Sequence, residues 1–228
     1  MARELPIFPL PIVLFPGAPQ PLHVFEPRYR QLLADCLAAD RRFGIAYIPA
    51  ERDAGVEPLP RPGDVGCVAV IRNTQGLPDG RSNVLTVGER RFVLIDWVSS
   101  DRPYRLARVD EFDDEPVDAS EAVTLAADVR EGFTRLAQAL AILTGREDDA
   151  IELPADPQPL SFQVAAALEL PPEAKRGLLA LRSTTARLRQ LATLVGPLVA
   201  DAERRAAVRQ RAKSNGRGGP HPQIEQAT

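Results

Sequence analysis

The sequence predicts an α+β fold, with a small β-barrel carrying one inserted helix over residues 1–115 and a helical bundle over residues 116–213. Two observations carry this. Up to residue 115 the apolar residues come in short runs separated by Pro, Gly, Asn and Asp, with a single stretch of helical period between them, which is the pattern of short strands in an antiparallel or mixed barrel. After Asp113-Asp114-Glu115-Pro116 the apolar residues recur instead at spacings of three and four, the period of a buried helix face. Residues 214–228, with three glycines and two prolines, predict a disordered tail.

In the barrel part, Leu5-Pro6-Ile7-Phe8-Pro9-Leu10 cannot be helical, because Pro6 and Pro9 remove amide donors and hold the preceding residues extended. An edge strand is the expectation. Val13-Leu14-Phe15 runs into the turn signal Pro16-Gly17, and Pro21 to Phe25 is a second extended run. Pro27 marks a first helical position, and Tyr29, Leu32, Leu33, Cys36 and Leu37 form one apolar face. Phe43 to Ile48 reads as a strand and residues 50–64 as a loop; Val65 to Ile71 reads as a strand buried on both faces. A hairpin loop over residues 73–81, with turn chemistry in Pro78-Asp79-Gly80, leads to Asn83–Val87. Gly88-Glu89 is read as another reversal, followed by strands at 91–98 and 104–112.

In the helical part, Asp118 and Glu121 form a candidate capping box, and Val129, Phe133, Leu136, Leu140 and Leu143 repeat at four-three-four-three before Gly145 ends the helix. An acid- and proline-rich linker, 146–159, precedes a short helix at 160–169, and Pro171-Pro172 starts another that includes Leu178, Leu179 and Leu181. Ser183 or Thr184 can cap the last helix, whose face comprises Leu188, Leu191, Leu194, Val195, Leu198 and Val199, with a kink expected at Gly196-Pro197. Beyond Ala200 the large apolar residues stop, so residues 201–213 are expected to project as an exposed charged helix.

Several functions are excluded or disfavoured by content. A net charge of −3 argues against a dedicated nucleic-acid surface, and no run approaches the length of a membrane span. The prolines between residues 6 and 19 rule out a helical signal segment there, so the stretch is kept as mature structure. Cys36 and Cys67 offer neither a disulfide framework nor a metal spacing and are read as small buried residues of a reducing cytoplasm. No G-x-x-x-x-G-K-[ST] or G-x-S-x-G occurs, and Lys175 and Lys213, the only lysines, suit neither a phosphate loop nor a peptidase dyad. With His23 and His221 the only histidines, no histidine triad or His-rich metal site can be assembled. No catalytic residue, metal or cofactor is expected. His23 is read as a barrel residue with a hydrogen-bonded ring, Glu26 as a helix-start carboxylate, and Arg90-Arg91 as surface charge.

The pieces LPIFPL, VLFPG, PLHVFEPRYRQLL, FGIAYIP, VGCVAVI, PDGR, VGERRF and PYRLARV, with LSFQVAAALEL and LLALRSTTARLRQL further on, resemble in that order the N-terminal substrate-binding domain of Lon proteases. The resemblance spans residues 4–195. It implies a PUA-like barrel followed by a helical bundle, and a module that contacts unfolded or tagged polypeptide and passes it to an ATPase and peptidase. The chain is therefore expected to bind exposed apolar segments without catalysing a reaction, in partnership with a separate ATPase or protease. Leu10, Val13, Leu14 and Phe15, near the seam between barrel and helices, are the candidate peptide contacts, adding a client strand to an open edge. The competing readings are a PUA-like RNA-binding module and a structural or oligomerising subunit.

Overall fold

A computed structural model describes residues 2–50, 58–116, 119–145 and 152–215, with side chains of residues 212–215 excepted. Its elements run β1 (Arg3–Leu10), β2 (Pro19–Val24), α1 (Pro27–Ala38), β3 (Arg42–Tyr47), β4 (Val65–Gly76), β5 (Ser82–Val98), β6 (Arg105–Glu111), α2 (Ala119–Thr144), α3 (Pro157–Ala167), α4 (Pro172–Ala180) and α5 (Thr184–Asn215). Asp118 and residues 216–228 of the expected tail lie outside the described residues, whereas residues 214 and 215 belong to α5.

The sheet order is β2-β5-β4-β3-β1-β6, and β6 returns to pair with β5, so five strands form a closed hydrogen-bonded circuit with β2 attached to β5. The expected edge strand is thereby corrected: β1 pairs in parallel with β3 and antiparallel with β6. Its prolines sit within these ladders, Pro6 opposite Leu106 and Pro9 opposite Ala46. The free edge belongs to β2, where Pro19 and Pro21 alternate with Gln20 and Leu22. Prolines of one parity remove donors from one side of a strand, which guards an edge against pairing with other chains.

Gly88-Glu89 does not reverse the chain. β5 is continuous, pairing with β2 through Ser82–Val87 and with β6 through Phe92–Val98. Gly88 is needed for close approach: a Cβ there would overlap the Phe15 carbonyl, and the glycine exchanges backbone hydrogen bonds with Gly17 (2.8 Å) and Ala18 (3.0 Å). β4 likewise outlasts the expected strand, running on to Gly76.

Three apolar clusters follow. Inside the circuit lie Leu5, Ile7, Val68, Phe92, Leu94 and Val109. On its outer face α1 packs Tyr29, Leu32, Leu33 and Cys36 against Phe8, Phe43, Ile45 and Ile71, with Phe8 and Tyr29 stacked at 3.9 Å. Leu37, expected on this face, is exposed. Pro27 occupies the first turn of α1, as its sequence predicts. The third cluster fills the helical part and takes in Phe15.

α2 and α5 lie parallel, as shown by Arg189–Glu121 near one end and Arg135–Glu203 further along. The α2 stripe begins with Ala122, Ala126, Val129, Phe133 and Leu136 and ends on Ala139 in place of Leu140, which is exposed; Gly145 terminates the helix at φ +70. Against it α5 lays Leu188, Leu191, Val195, Val199, Ala202 and Ala206. The expected loss of the packed face after Ala200 is therefore also corrected. Pro197 lies inside α5, which is one helix to Asn215. α3 starts at Pro157, earlier than expected, and Ser183 caps α5 by accepting from the Ala186 amide (3.2 Å).

Candidate functional site

The site grows from the place where the chain passes from sheet to helices. The Gly88 contacts hold residues 15–18 across β5, which drives the Phe15 side chain into the helical core, fully buried and 6.4 Å from the Phe162 ring. Three residues beyond Gly88, Arg91 crosses the same seam. Expected at the surface, its side chain is 2% exposed. Its Nη1 donates to the carbonyls of Leu179 (2.6 Å) and Leu181 (2.7 Å), and its Nη2 to Asp114. Arg187, 0% exposed, donates to the other Asp114 oxygen (2.5 Å), to Ser161 Oγ (2.8 Å) and to the Leu181 carbonyl (2.7 Å). Thr184 donates its hydroxyl to Asp114 as well (2.5 Å).

Two guanidiniums thus share one carboxylate in a place closed to water, and isolated charges there would cost several kcal/mol each. The second positive charge is met in two other ways. Leu179 and Leu181 lie at the C-terminal end of α4, where the helix dipole is negative. The Phe162 ring accepts Arg187 at 3.9 Å and Arg91 at 5.2 Å from its centroid, and Phe112 accepts Arg91 at 4.9 Å. Burial pushes the Arg91 guanidinium down to about 10, opposed by Asp114, so it is charged at neutral pH. Arg187 is lowered for the same reason and raised back by its Asp114 hydrogen bond.

Above this cluster opens a groove of about 390 Å3. Its apolar lining is Pro16, Phe112, Pro154 and Pro159 over the buried Phe162 ring, joined by the amides of Gln158 and Gln163. The charged Glu89, Arg90, Arg91, Asp113 and Asp114 also line it, so the groove joins an apolar strip of prolines and Phe112 to a polar side that can satisfy an extended main chain.

The candidate contacts from the sequence fall around this groove without lining it. Leu14 and Phe15 are 3% and 0% exposed, which withdraws both from contact with a client unless the core opens. Leu10 and Val13 are half-buried, Leu10 against the α1 cluster and Val13 against the helical one, so the four residues do not share a surface. The adjacent turn, Pro16-Gly17, does line the groove. Sequence reasoning missed Arg91, Asp114, Phe112 and Phe162. The local signal for Arg91 was its place next to Phe92 in an alternating strand, which puts it on the face the helices cover. His23 is exposed with Nδ1 2.8 Å from Asn83 Oδ1, in accord with its reading as a hydrogen-bonded sheet residue. Among the described residues no cluster of His, Cys, Asp and Glu could hold a metal ion, and no helix is long and apolar enough to cross a membrane.

The family profile of the ATP-dependent protease La (LON) substrate-binding domain matches residues 4–195. The Lon protease of Roseiflexus castenholzii is 30% identical over 188 residues, 82% of this chain and 23% of that protein. Lon protease 2 of Herpetosiphon aurantiacus is 28% identical over 196 residues, 84% of this chain, and again only 23% of the relative is spanned. Among solved structures, the Lon N-terminal domain protein from Xanthomonas campestris superposes with a TM-score of 0.60 at 26% identity, covering 84% of this chain and 98% of that one. The N-terminal domain of Mycobacterium avium complex Lon protease shares the fold, with a TM-score of 0.66 at 20% identity over 85% and 98% of the two chains. With the profile match running from the first strand into the last helix, the chain belongs to the LON substrate-binding domain family.

Proposed function

We propose that this chain is a non-catalytic polypeptide-binding module that holds exposed apolar segments of unfolded proteins and presents them to a separate ATPase or protease. In this reading the closed strand circuit is a PUA-like barrel, the helices form a second unit, and the client lies in the seam groove between them. The observation that carries the reading is the groove itself, about 390 Å3, in which half-buried Phe112 stands with Pro16, Pro154 and Pro159. Adding a client strand to an open edge, the other peptide-binding mode, meets Pro19 and Pro21 on the free edge of β2.

Anisotropy of a dye-labelled, reduced and carboxymethylated lactalbumin tests the proposal. Phe112→Ser should weaken binding about tenfold, as loss of an aromatic anchor does, while Leu85→Ser, on the exposed β5 face away from the groove, leaves it unchanged. Binding should change little between low and moderate salt. An unaffected, folded Phe112→Ser variant would sink the groove reading, and a steep fall of affinity with salt would show that charge rather than apolar burial holds the client. The purified chain is expected neither to hydrolyse ATP nor to cleave casein.

A further inference from the structure

The turn that joins β5 to β6 folds against the N-terminal end of α1, and together they enclose a second pocket, of about 220 Å3, at the opposite end of β6 from the groove. Its polar lining converges from two parts of the chain. Arg28, Arg102, Arg105, Ser99, Ser100 and Tyr104 line one space, and no carboxylate is among its described lining residues.

Two acids outside the lining, Asp35 and Glu26, hold arginines of the pocket. Asp35 accepts from Arg102 Nη1 (3.1 Å) and from the Tyr104 hydroxyl (2.6 Å), and Glu26 pairs with Arg28 (3.0 Å). The Tyr104 hydrogen bond, followed by those from Gln31 and by Arg102, holds the Asp35 carboxyl below its ordinary range, so Asp35 is ionised at neutral pH. Arg102, half exposed, uses Nη1 for both Asp35 and Tyr104, and among the described residues its Nε and Nη2 donors have no hydrogen-bond partner. Arg105 has no ion pair among the described residues. The pocket therefore presents oriented donors, and among the described residues Arg105 brings a positive charge with no ion-pair partner. Guanidinium forks match the oxygens of carboxylate and phosphate in pairs, which makes arginine the residue of choice for such groups.

We propose that this pocket is a binding site for a small oxyanion, a phosphoryl or carboxylate group, held between Arg102 and Arg105 and completed by the Ser99 and Ser100 hydroxyls. The site is independent of the polypeptide groove and stands if that reading fails. Free phosphate, a phosphorylated side chain and a simple carboxylate share this chemistry, and three probes separate them.

The chain carries its own reporter. Trp97, the only tryptophan, precedes the lining residue Val98 and donates its ring N–H to the Pro60 carbonyl (3.2 Å) beside the lining residue Leu59. Inorganic phosphate, phosphoserine and acetate are titrated against the full chain at constant ionic strength set with chloride, and Trp97 fluorescence and thermal midpoint are both followed. At least one probe should give a saturating fluorescence change and raise the midpoint. Arg105→Gln, at an exposed position outside the core, should raise the dissociation constant about tenfold, the loss of one charge-assisted hydrogen bond. Arg102→Gln should do the same. Saturation by acetate alone assigns a carboxylate ligand, and saturation by phosphate or phosphoserine a phosphoryl one. The proposal is overturned if no probe saturates or shifts the midpoint, if chloride reproduces the change, or if Arg105→Gln binds as tightly as the parent chain.

Discussion

Phe15 shows how one side chain can be misplaced while its local backbone is read correctly. The turn at Pro16-Gly17 is visible in sequence, and so is the apolar run before it. What decides the direction of the ring is the Gly88 backbone, 73 positions away, and Phe162, neither of which a local pattern can supply. Phe15→Ala should destabilise the protein by about 3–5 kcal/mol, the range for emptying a buried aromatic site, as measured by urea unfolding. A loss below 1 kcal/mol would mean the ring is not core. Arg91 was illegible for a related reason: arginines beside a reversal are usually wet, and its partners come from two later segments, Asp114 after β6 and Leu179 and Leu181 at the end of α4. The cysteines were read correctly as buried. Burial pushes the Cys36 thiol up to about 12 and raises Cys67 still further, so neither forms thiolate at neutral pH. Ellman's reagent should label neither in the native chain at pH 8 and both after denaturation. Glu89 titrates below an ordinary Glu because Arg42 hydrogen-bonds it. A depressed carboxylate stabilises the fold above its ordinary value, and that contribution is lost as the pH falls through the depressed one. The pair is partly exposed, so the effect is under about 1 kcal/mol. Arg42→Ala should accordingly flatten the loss of stability between pH 5 and 3.

At the scale of elements, α1 and the presence of most strands were legible because period-two alternation, Pro27 and the turn residues act within a few positions, whereas the continuity of β5 through Gly88-Glu89 depends on residues 15–18 across the strand. α5 was misjudged beyond Ala200 because only large side chains were counted as a packing face. Parallel helices that approach closely use small ones. A Cβ on Gly132 would already stand 3.0 Å from Val195, and further along the seam Ala202 and Ala206 are 5% and 4% exposed while Val208 is 67% exposed. Size and burial are thus inverted in this half of the helix. Ala206→Leu should destabilise by about 1–3 kcal/mol through overpacking, and Val208→Ser by less than about 0.5 kcal/mol. Equal effects in thermal melts would place the last turns of α5 off the α2 surface.

For the whole molecule, the Arg91–Asp114–Arg187 cluster ties β5, the segment after β6 and α5 together, and it makes the sheet and the helices report on each other. Asp114→Ala leaves two buried guanidiniums without a carboxylate and should cost about 3–5 kcal/mol, separating one melting transition into an earlier helical and a later sheet step. A single transition shifted by less than a degree would show that the packing of Phe15 on Phe162 couples the parts without the charges. The closed circuit also has a consequence for synthesis on the ribosome. β1 lies between β3 and β6, so the first strand of the circuit to be made stays half-paired until Arg105–Glu111 have been translated. At typical elongation rates that wait lasts roughly 5–20 s, long enough for a nascent apolar strand to meet another ribosome's product. Pro6 and Pro9, which the finished sheet accommodates in its ladders, are placed where they would disrupt such a premature pairing.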